Sequence, residues 1–240
     1  MKVALTGITG HVGSRLAAEL LRCGHKVTGI ARHPGNGATR AGLEIRQGDA
    51  TIPSMLASLL VDHDAVISAS RFQTSDANSL ITAVKEAKVK RLLVVGGAAS
   101  LQVAPGKRLI DTPGFPDAYK AEALAGIRFL DELRNEKDLE WTFLSPSAEF
   151  IPGERTGKFR LGADQLLTNS HGRSWISMED FAIAMVDEME QPKHLRQRSR
   201  LDIDWSSRRN SFTSRNETST ALFLLSAGQI APEAWRPSLY

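Results

Sequence analysis

The stretch Gly7-Ile8-Thr9-Gly10-His11-Val12-Gly13 directly follows the apolar run Val3-Ala4-Leu5 and precedes a helical pattern. A buried strand that ends in glycine can turn sharply, a second glycine lets the backbone approach a diphosphate, and a third lets the next helix pack closely on the sheet. The N-terminus of that helix presents N–H groups and a positive dipole end to an anion. The stretch therefore predicts a nucleotide diphosphate site, although a Gly-rich turn without a ligand can have the same spacing.

The residues after this stretch favour the nucleotide interpretation. Apolar side chains recur at helical spacing, at Val12, Leu16, Leu20 and Leu21. A second apolar run, residues 26–31, follows after a short turn at residues 23–25. A strand, a helix and a strand thus fit within the length of one βαβ unit.

Short apolar runs continue to alternate with helical patterns along the chain. Strands are predicted at 43–47, 64–69, 91–95 and 139–144, and helices at 54–61, 78–88 and 117–137. Because the runs are apolar on both faces, they suit a parallel sheet buried between two helix layers. We expect an α/β fold with a doubly wound parallel sheet, the Rossmann fold.

Two later segments complete this prediction. Residues 151–168 contain Pro152 and several glycines, and we expect them to form a short C-terminal lid region over the carboxyl ends of the strands. Within this region we expect residues 152–162, together with residues 145–147, to line the site of a second ligand. Ser177 precedes two acidic residues and an apolar run, which predicts that its hydroxyl caps the N-terminus of a helix.

Length and composition are those of an ordinary globular protein. The 240 residues are 42% hydrophobic and 24% charged, which suits one large α/β domain. We predict a folded domain at residues 1–203 and an irregular or disordered tail at 204–240, in which residues 222–225 could form a small partner-binding segment. No stretch has the roughly 18 consecutive apolar residues that cross a bilayer, so we expect a cytoplasmic protein without membrane contact.

The charge and cysteine content argue against two other kinds of site. The net charge is only +3, and a basic cluster occurs at Lys193, Arg196, Arg198 and Arg200. Because no aromatic residues interleave with this cluster, we interpret it as a solvated helix end rather than a nucleic-acid surface. The single cysteine, Cys23, cannot form an internal disulfide and is expected to be structural. No metal site is predicted.

The residues at the end of the second strand bear on which dinucleotide is bound. In such folds an acidic residue there accepts hydrogen bonds from the 2′-hydroxyl of the adenosine ribose. Here the sequence is Ala31-Arg32-His33, and an arginine is suited to a 2′-phosphate instead. Arg32 therefore favours NADPH, with NADH possible if Arg32 is only a solvated strand-end charge. After the third strand, Asp49 is placed near the adenine or serves as a turn residue.

Small residues end the fourth and fifth strands, at 68–70 and 96–98, where they would leave room for a ribose and the flat nicotinamide ring. The predicted nucleotide-binding residues are Gly7, Thr9, Gly10, His11, Val12, Gly13, Arg32, Asp49, Ser68, Ala69, Ser70, Gly96, Gly97 and Pro146.

Six segments resemble the atypical short-chain dehydrogenase/reductases, and within them a bacterial group described as NAD(P)H-binding, NADH-flavin reductase-like proteins. They are residues 4–10, 64–69, 94–98, the pair Tyr119-Lys120, residues 141–146 and, most specifically, Pro152–Gly162. The resemblance covers residues 1 to about 200 and implies an NAD(P)-binding Rossmann domain with reductase activity. Biliverdin/flavin reductases and nitrogen-metabolite repressor-like proteins are related to this group.

The chain departs from the classical members of the superfamily at Tyr119. Those members carry a Tyr-x-x-x-Lys pair in which the lysine lowers the pKa of the tyrosine for proton exchange. Here Ala123 occupies the position four residues after Tyr119, and Lys120 is adjacent and points about 100° away on a helix. Alcohol dehydrogenation by that route is therefore not expected, and Tyr119 is a candidate for stacking or hydrogen bonding to a ligand, or for helix packing.

Flavin reduction does not need this pair, because hydride passes between two stacked rings and water can supply the proton. The sequence therefore predicts an NAD(P)H-dependent oxidoreductase that transfers hydride from nicotinamide to a flavin or a similar flat conjugated acceptor, with the flavin as substrate rather than bound cofactor. The alternative is a redox sensor that binds NADP(H) without turnover. We expect a small-molecule acceptor, no nucleic-acid partner, and a monomer or homodimer.

Overall fold

The computed structural model describes residues 1–34, 41–169 and 172–203. Its strands are β1 Lys2–Thr6, β2 Lys26–Ala31, β3 Leu43–Gln47, β4 Ala65–Ser68, β5 Arg91–Val95, β6 Gln102–Ala104, β7 Lys107–Arg108, β8 Glu140–Ser145, β9 Glu149–Ile151, β10 Phe159–Gly162, β11 Trp175–Ser177 and β12 Gln197–Ile203. Its α-helices are α1 His11–Arg22, α2 Pro53–Leu60, α3 Ala77–Glu86, α4 Asp117–Asn135 and α5 Met178–Glu190. Two short 3₁₀ turns lie at Phe72–Thr74 and Leu109–Asp111.

The central sheet has eight strands in the order β10-β12-β8-β5-β4-β1-β2-β3. All of its pairs are parallel except the edge pair of β10 and β12. From β1 the chain builds outward through β2 and β3, then returns to the other side of β1 with β4. The two directions separate between β1 and β4, which is the switch point where ligands of open α/β sheets bind.

The apolar faces of the helices cover the sheet on both sides. On one face α1 and α5 share a core, in which Leu16, Leu20 and Phe181 are fully buried. On the other face α2, α3 and α4 form a second core with Leu56, Leu80 and other buried apolar residues. The buried parallel strands between these layers confirm the doubly wound Rossmann fold.

The six strands and four helices predicted from periodicity are present, with ends shifted by at most two residues. The helix predicted at 117–137 ends at Asn135, and the helix predicted after Pro53 includes that proline as its first residue. The Ser177 cap is also confirmed, because the Asp180 amide donates to the Ser177 hydroxyl over 3.0 Å.

The interpretation of the basic cluster near residue 200 as a solvated helix end is wrong, since these residues lead into and form strand β12. Arg200 is only 7% exposed, and its guanidinium lies over Gly162, where an added Cβ would be 2.5 Å from Nη2. The Arg198 side chain is buried as well and pairs with Asp164. The absent side chain at Gly162 thus provides room for Arg200 on the edge of the sheet.

Strand β12 continues two residues beyond Leu201 and ends at Ile203. The predicted tail, residues 204–240, lies outside the described residues, and so does its apolar segment at 222–225.

Residues 152–158 lie against the α1 and α5 layer. The amides of Thr156 and Gly157 donate to the buried Asp180 carboxylate over 2.6 and 2.8 Å, and the Thr156 hydroxyl donates to the same group. The Arg155 guanidinium pairs with Glu19 of α1 at 2.9 Å. These contacts attach the segment to the two helices before the chain enters β10.

Among the described residues, none of the helices is long and apolar enough to cross a membrane. Within the same residues, no group of three or more His, Cys, Asp or Glu side chains is arranged to hold a metal ion.

Candidate active site

The glycine turn after β1 is closed by contacts between backbone atoms. Gly7 has a φ of +72°, and an added Cβ would lie 2.4 Å from the Ala69 carbonyl oxygen. At Gly13 an added Cβ would lie 2.1 Å from the Gly7 carbonyl oxygen. Any larger residue at these two positions would collide with main chain that cannot move aside, so the turn requires glycine.

The first turn of α1 directs its backbone amides toward the space beside this loop. The N-cap residue Gly10 has no side chain, and the first amide bonded within the helix is that of Ser14, which donates to the Gly10 carbonyl over 2.9 Å. The amides of His11, Val12 and Gly13 therefore have no acceptor within the helix. Val12 is buried in the core, so its contribution to a ligand site is its backbone amide. This end of α1 fits the diphosphate of a dinucleotide.

A chain of hydroxyl groups borders the turn at the switch point. Ser70 donates to the Thr6 hydroxyl over 3.0 Å, and Thr6 donates to the Ser68 hydroxyl over 3.3 Å. Thr6 and Ser68 are buried, whereas Ser70 is half-buried at the rim. Thr6 was missed in the sequence, where the available signal is a polar residue at the end of an apolar strand, immediately before the glycine turn.

Arg32 and Asp49 lie at the ends of the neighbouring strands β2 and β3. The Arg32 side chain is exposed, and the backbone carbonyl of Arg32 accepts a hydrogen bond from the side-chain amide of Gln47 over 3.2 Å. The amide and hydroxyl of Thr51 donate to Asp49 Oδ1 over 2.9 and 2.8 Å. These two bonds lower the pKa of Asp49, and the charge of Arg32 adds a smaller effect in the same direction. Asp49 therefore serves as a turn residue, and its contact with adenine stays a prediction.

Beyond β4, β5 and β8 lies a cavity of about 220 Å³, which we call the acceptor cavity for the ligand that the sequence predicts there. Its walls are mostly apolar and come from the loops after these strands and from α4. Aromatic side chains line it at Phe72, Phe115, Tyr119, Phe143 and Phe150. Small residues line it at Gly97, Ala98, Ala99 and Pro146.

The acceptor cavity begins where the glycine turn ends. Ala69 and Ser70 border the turn, and the next residue, Arg71, already lines the cavity. A dinucleotide held at the turn would thus have its two ends on either side of the switch point, as in other open α/β sheets. Residues 7–13, which we call the nucleotide cradle for the ligand that the sequence predicts there, therefore lie beside an apolar cavity.

The predicted small residues after β5 have different environments. At Gly96 an added Cβ would lie 2.3 Å from the Phe143 ring, so this glycine permits close packing of Phe143. At Gly97 nothing lies within 4 Å of an added Cβ, and Gly97 lines the cavity together with Pro146. Gly97 is therefore placed where the sequence predicts room for a ring, and Gly96 is a packing residue.

Tyr119 lines the acceptor cavity, but the lysine of the classical pair has no equivalent there. Ala123 lines the cavity one helical turn after Tyr119. The Lys120 ammonium forms an ion pair with Asp117 at 2.6 Å, and none of the described residues that line the cavity is a lysine. The arrangement supports ring packing or hydrogen bonding by Tyr119 rather than lysine-assisted proton transfer.

Pro146 and Ser147 line the cavity as predicted, and Ser145 is fully buried beside them. Residues 152–162 were predicted to line the second-ligand site, but they are not among the described residues around this cavity. Hydrogen bonds to α5 and an ion pair with α1 hold residues 153–157 on the opposite layer of the sheet. Residues 159–162 form the edge strand β10.

Comparison with known proteins identifies the family. Residues 7–192 match the family described as NAD(P)H-binding. The chain is 37% identical over 208 residues to an uncharacterised protein of Bacillus subtilis. The aligned region covers 82% of this chain and 96% of that protein.

Solved structures of similar proteins have the same fold. A protein from Burkholderia pseudomallei, described as a proposed exported protein, is 45% identical with a TM-score of 0.77, over 84% of this chain and 99% of that chain. A proposed epimerase from Bacteroides thetaiotaomicron is 38% identical with a TM-score of 0.80, over 84% and 96%. A proposed NADH-flavin reductase from Streptococcus pneumoniae is 34% identical with a TM-score of 0.71, over 85% and 100%.

Proposed function

The chain belongs to the NAD(P)H-binding family, and from that premise we propose that it is an NADPH-dependent reductase acting on a flat conjugated acceptor such as a flavin. The observation that carries this proposal is the aromatic-walled acceptor cavity beside the glycine turn. A ring sandwiched between such walls is shielded from water and held in one plane, which is what transfer between two stacked rings requires.

The cradle would hold the nucleotide mainly through backbone amides. The amides of His11, Val12 and Gly13 would bind the diphosphate, and the Ser70 hydroxyl borders the path from the turn to the cavity. When bound, the cofactor supplies a hydride from its nicotinamide ring. The chain itself binds and orients the two rings, and it excludes water from the space between them.

We further propose that NADPH is preferred to NADH. Arg32 is exposed at the end of β2, and its guanidinium forms no ion pair among the described residues. A guanidinium can hold a phosphate through two charge-assisted hydrogen bonds. The neighbouring carboxylate of Asp49 is already hydrogen-bonded to Thr51 and so competes less for the arginine.

No protein acid is required for this reaction. Reduced flavin takes its proton from water, so the absence of a lysine four residues after Tyr119 does not prevent turnover. In this proposal Tyr119 packs against the acceptor ring or donates a hydrogen bond to it. The flavin binds as a substrate that enters and leaves, rather than as a resident cofactor.

The proposal is tested by mixing purified protein with NADPH and free FMN, FAD or riboflavin, and following the loss of NADPH absorbance. We expect flavin-dependent oxidation of NADPH, faster than with NADH at equal concentration. Absence of oxidation with all three flavins and with a quinone would exclude the reductase activity. A crystal grown with NADPH and riboflavin would locate the nicotinamide and flavin rings.

A redox sensor that binds NADP(H) without turnover is the second candidate. The absence of the classical lysine four residues after Tyr119 favours it, because a protein without turnover needs no proton-transfer pair in its cavity. In the same assay, tight NADPH binding by calorimetry without flavin-dependent oxidation would support the sensor.

The cellular setting is part of the proposal. We place the protein in the cytoplasm as a monomer or homodimer, with no nucleic-acid or membrane partner. Subcellular fractionation checks the location, and light scattering of the purified chain checks the mass in solution.

A further inference from the structure

We propose that the Glu122 carboxylate is a positioning residue that fixes residues 71–73, the rim loop, and thereby sets affinity for the acceptor. The inference rests on the proposed function, because it assigns the acceptor to the cavity that this loop borders. Glu122 belongs to α4 and lines the cavity, and the rim loop follows β4, fifty residues earlier in the chain.

The contact is a two-pronged one from a single carboxylate. The Phe72 amide donates to Glu122 Oε1 over 2.6 Å, and the Gln73 amide donates to Oε2 over 3.1 Å. Hydrogen bonds to an ionised acceptor are stronger than those between neutral groups. Both oxygens thus hold consecutive amides of the loop, which fixes its orientation as well as its distance from α4.

A second feature of α4 restrains the same loop one turn further on. The Phe72 ring packs against Gly126, where an added Cβ would lie 2.8 Å from the ring. The same ring is 5.2 Å from the Phe129 ring and 6.0 Å from the Phe143 ring, measured between centroids. Because residues 122 and 126 share one helix face, the carboxylate and the glycine together hold Phe72 against the cavity.

The position of the rim loop gives this restraint a functional consequence. All three of its residues line the acceptor cavity, and it begins directly after Ser70, which borders the nucleotide cradle. A displacement of the loop would therefore change the wall that an acceptor ring contacts, while the glycine turn at Gly7 and Gly13 is unaffected. We expect loss of the carboxylate to weaken acceptor binding selectively.

Glu122→Gln is the informative variant, because an amide group can accept from one loop amide but presents its own N–H groups to the other. We expect faster hydrogen exchange of the peptide that contains Phe72 and Gln73. We also expect the riboflavin Kd and the acceptor KM to rise about tenfold, since small misplacements in a site reduce its effectiveness steeply. The NADPH Kd and the melting temperature should change little.

Gly126→Ala tests the same restraint without changing Glu122. Alanine favours the helix, so failure to fold is not expected, but its methyl group displaces the Phe72 ring. The matched control is Glu132→Gln, an exposed glutamate on the same helix that does not line the acceptor cavity. We expect Gly126→Ala to raise the riboflavin Kd and the control to leave it unchanged.

The outcomes separate this inference from the proposed function. Riboflavin affinity is measured by quenching of flavin fluorescence, with and without NADP⁺, and does not depend on turnover. If wild-type protein binds riboflavin but does not oxidise NADPH, the reductase proposal fails and the role of Glu122 is still decided by the Kd values. The role of Glu122 would be overturned if hydrogen exchange of the peptide that contains Phe72 and Gln73 were unchanged. It would also be overturned if that exchange were faster but the riboflavin Kd were unchanged in both Glu122→Gln and Gly126→Ala.

Discussion

The nucleotide cradle and the acceptor cavity lie side by side but are built from different materials. The cradle is one continuous piece of chain, residues 7–13, closed by contacts such as that of Gly13 with the Gly7 carbonyl. The cavity is assembled from side chains of separate segments, including Phe72, Phe115, Tyr119 and Phe150. The first is defined by where side chains are absent, and the second by which side chains are present.

This difference explains how one scaffold can serve several reactions. Backbone contacts leave the cradle no freedom to vary, whereas side chains in the cavity can be exchanged without disturbing the sheet. The similar structures share the fold although one is described as a proposed epimerase and another as a proposed NADH-flavin reductase. Substitutions in the two regions should therefore have separable effects.

The largest effect is expected at the cradle, from Gly13→Ala. The new methyl group would lie 2.1 Å from the Gly7 carbonyl oxygen, and the turn would have to open. We expect a loss of about 3 kcal/mol in the free energy of unfolding, together with loss of NADPH binding. Urea denaturation and calorimetric titration measure the two quantities. The control is Gly114→Ala, since nothing lies within 4 Å of an added Cβ there. Equal effects of the two substitutions would contradict the comparison.

Arg32→Glu should separate cofactor choice from everything else in the molecule. A charge-assisted pair with phosphate is worth about 1.5–3 kcal/mol, so we expect the NADPH KM to rise about tenfold to a hundredfold. The NADH KM and the acceptor KM should not change. Lys26→Glu makes the same charge reversal at the opposite end of β2 and should leave both cofactors unaffected. An unchanged NADPH preference in Arg32→Glu would remove the argument for a 2′-phosphate contact.

The parts of the fold that the sequence predicts are those governed by neighbours in the chain. Three such features involve residues only a few positions apart, and the structure contains all of them. They are the glycine turn at 7–13, the helix indicated by the apolar spacing that starts at Val12, and the cap at Ser177. The parallel sheet follows from strands that are apolar on both faces.

The parts that the sequence did not predict depend on distant partners. Arg200 reads as a solvent-facing residue until Gly162 is placed beside it, which only the pairing of β10 with β12 does. Residues 152–158 look like a loop over the site until Asp180 is seen to accept their amides. The same holds for Glu122, whose partners lie fifty residues away.

Glu19→Gln tests whether residues 152–158 are attached to α1 or contribute to the acceptor cavity. Glu19 is buried between Arg22 and Arg155, and its pKa falls from 4.5 to about 2, chiefly through the hydrogen bond from Arg22. Both arginines are about half exposed, so we expect the substitution to cost only about 1–2 kcal/mol in unfolding free energy at neutral pH. Because the segment is attached to α1 rather than to the cavity, acceptor KM should not change.

The pH dependence of that loss provides its check. A carboxyl group with a lowered pKa in the folded state stabilises the protein above the unfolded pKa of 4.5 and loses this effect as the pH falls toward 2. The difference between wild type and Glu19→Gln should therefore shrink as denaturation is repeated below pH 4.5. Glu44→Gln, which breaks an exposed pair with Arg46, should show this dependence only weakly, because water screens that pair. A changed acceptor KM would instead place the segment at the cavity.

The smallest effect is expected from Tyr119→Phe, which keeps the ring in the cavity wall and removes only the hydroxyl. If water supplies the proton to the reduced flavin, kcat should stay within about threefold of wild type, because general acid catalysis by a side chain is worth a hundredfold or more. Tyr119→Ala removes the ring as well and should raise the acceptor KM while leaving the NADPH KM unchanged. A hundredfold fall in kcat for the phenylalanine variant would assign the tyrosine hydroxyl to proton transfer. The acceptor cavity would then supply a proton donor in addition to binding the acceptor ring.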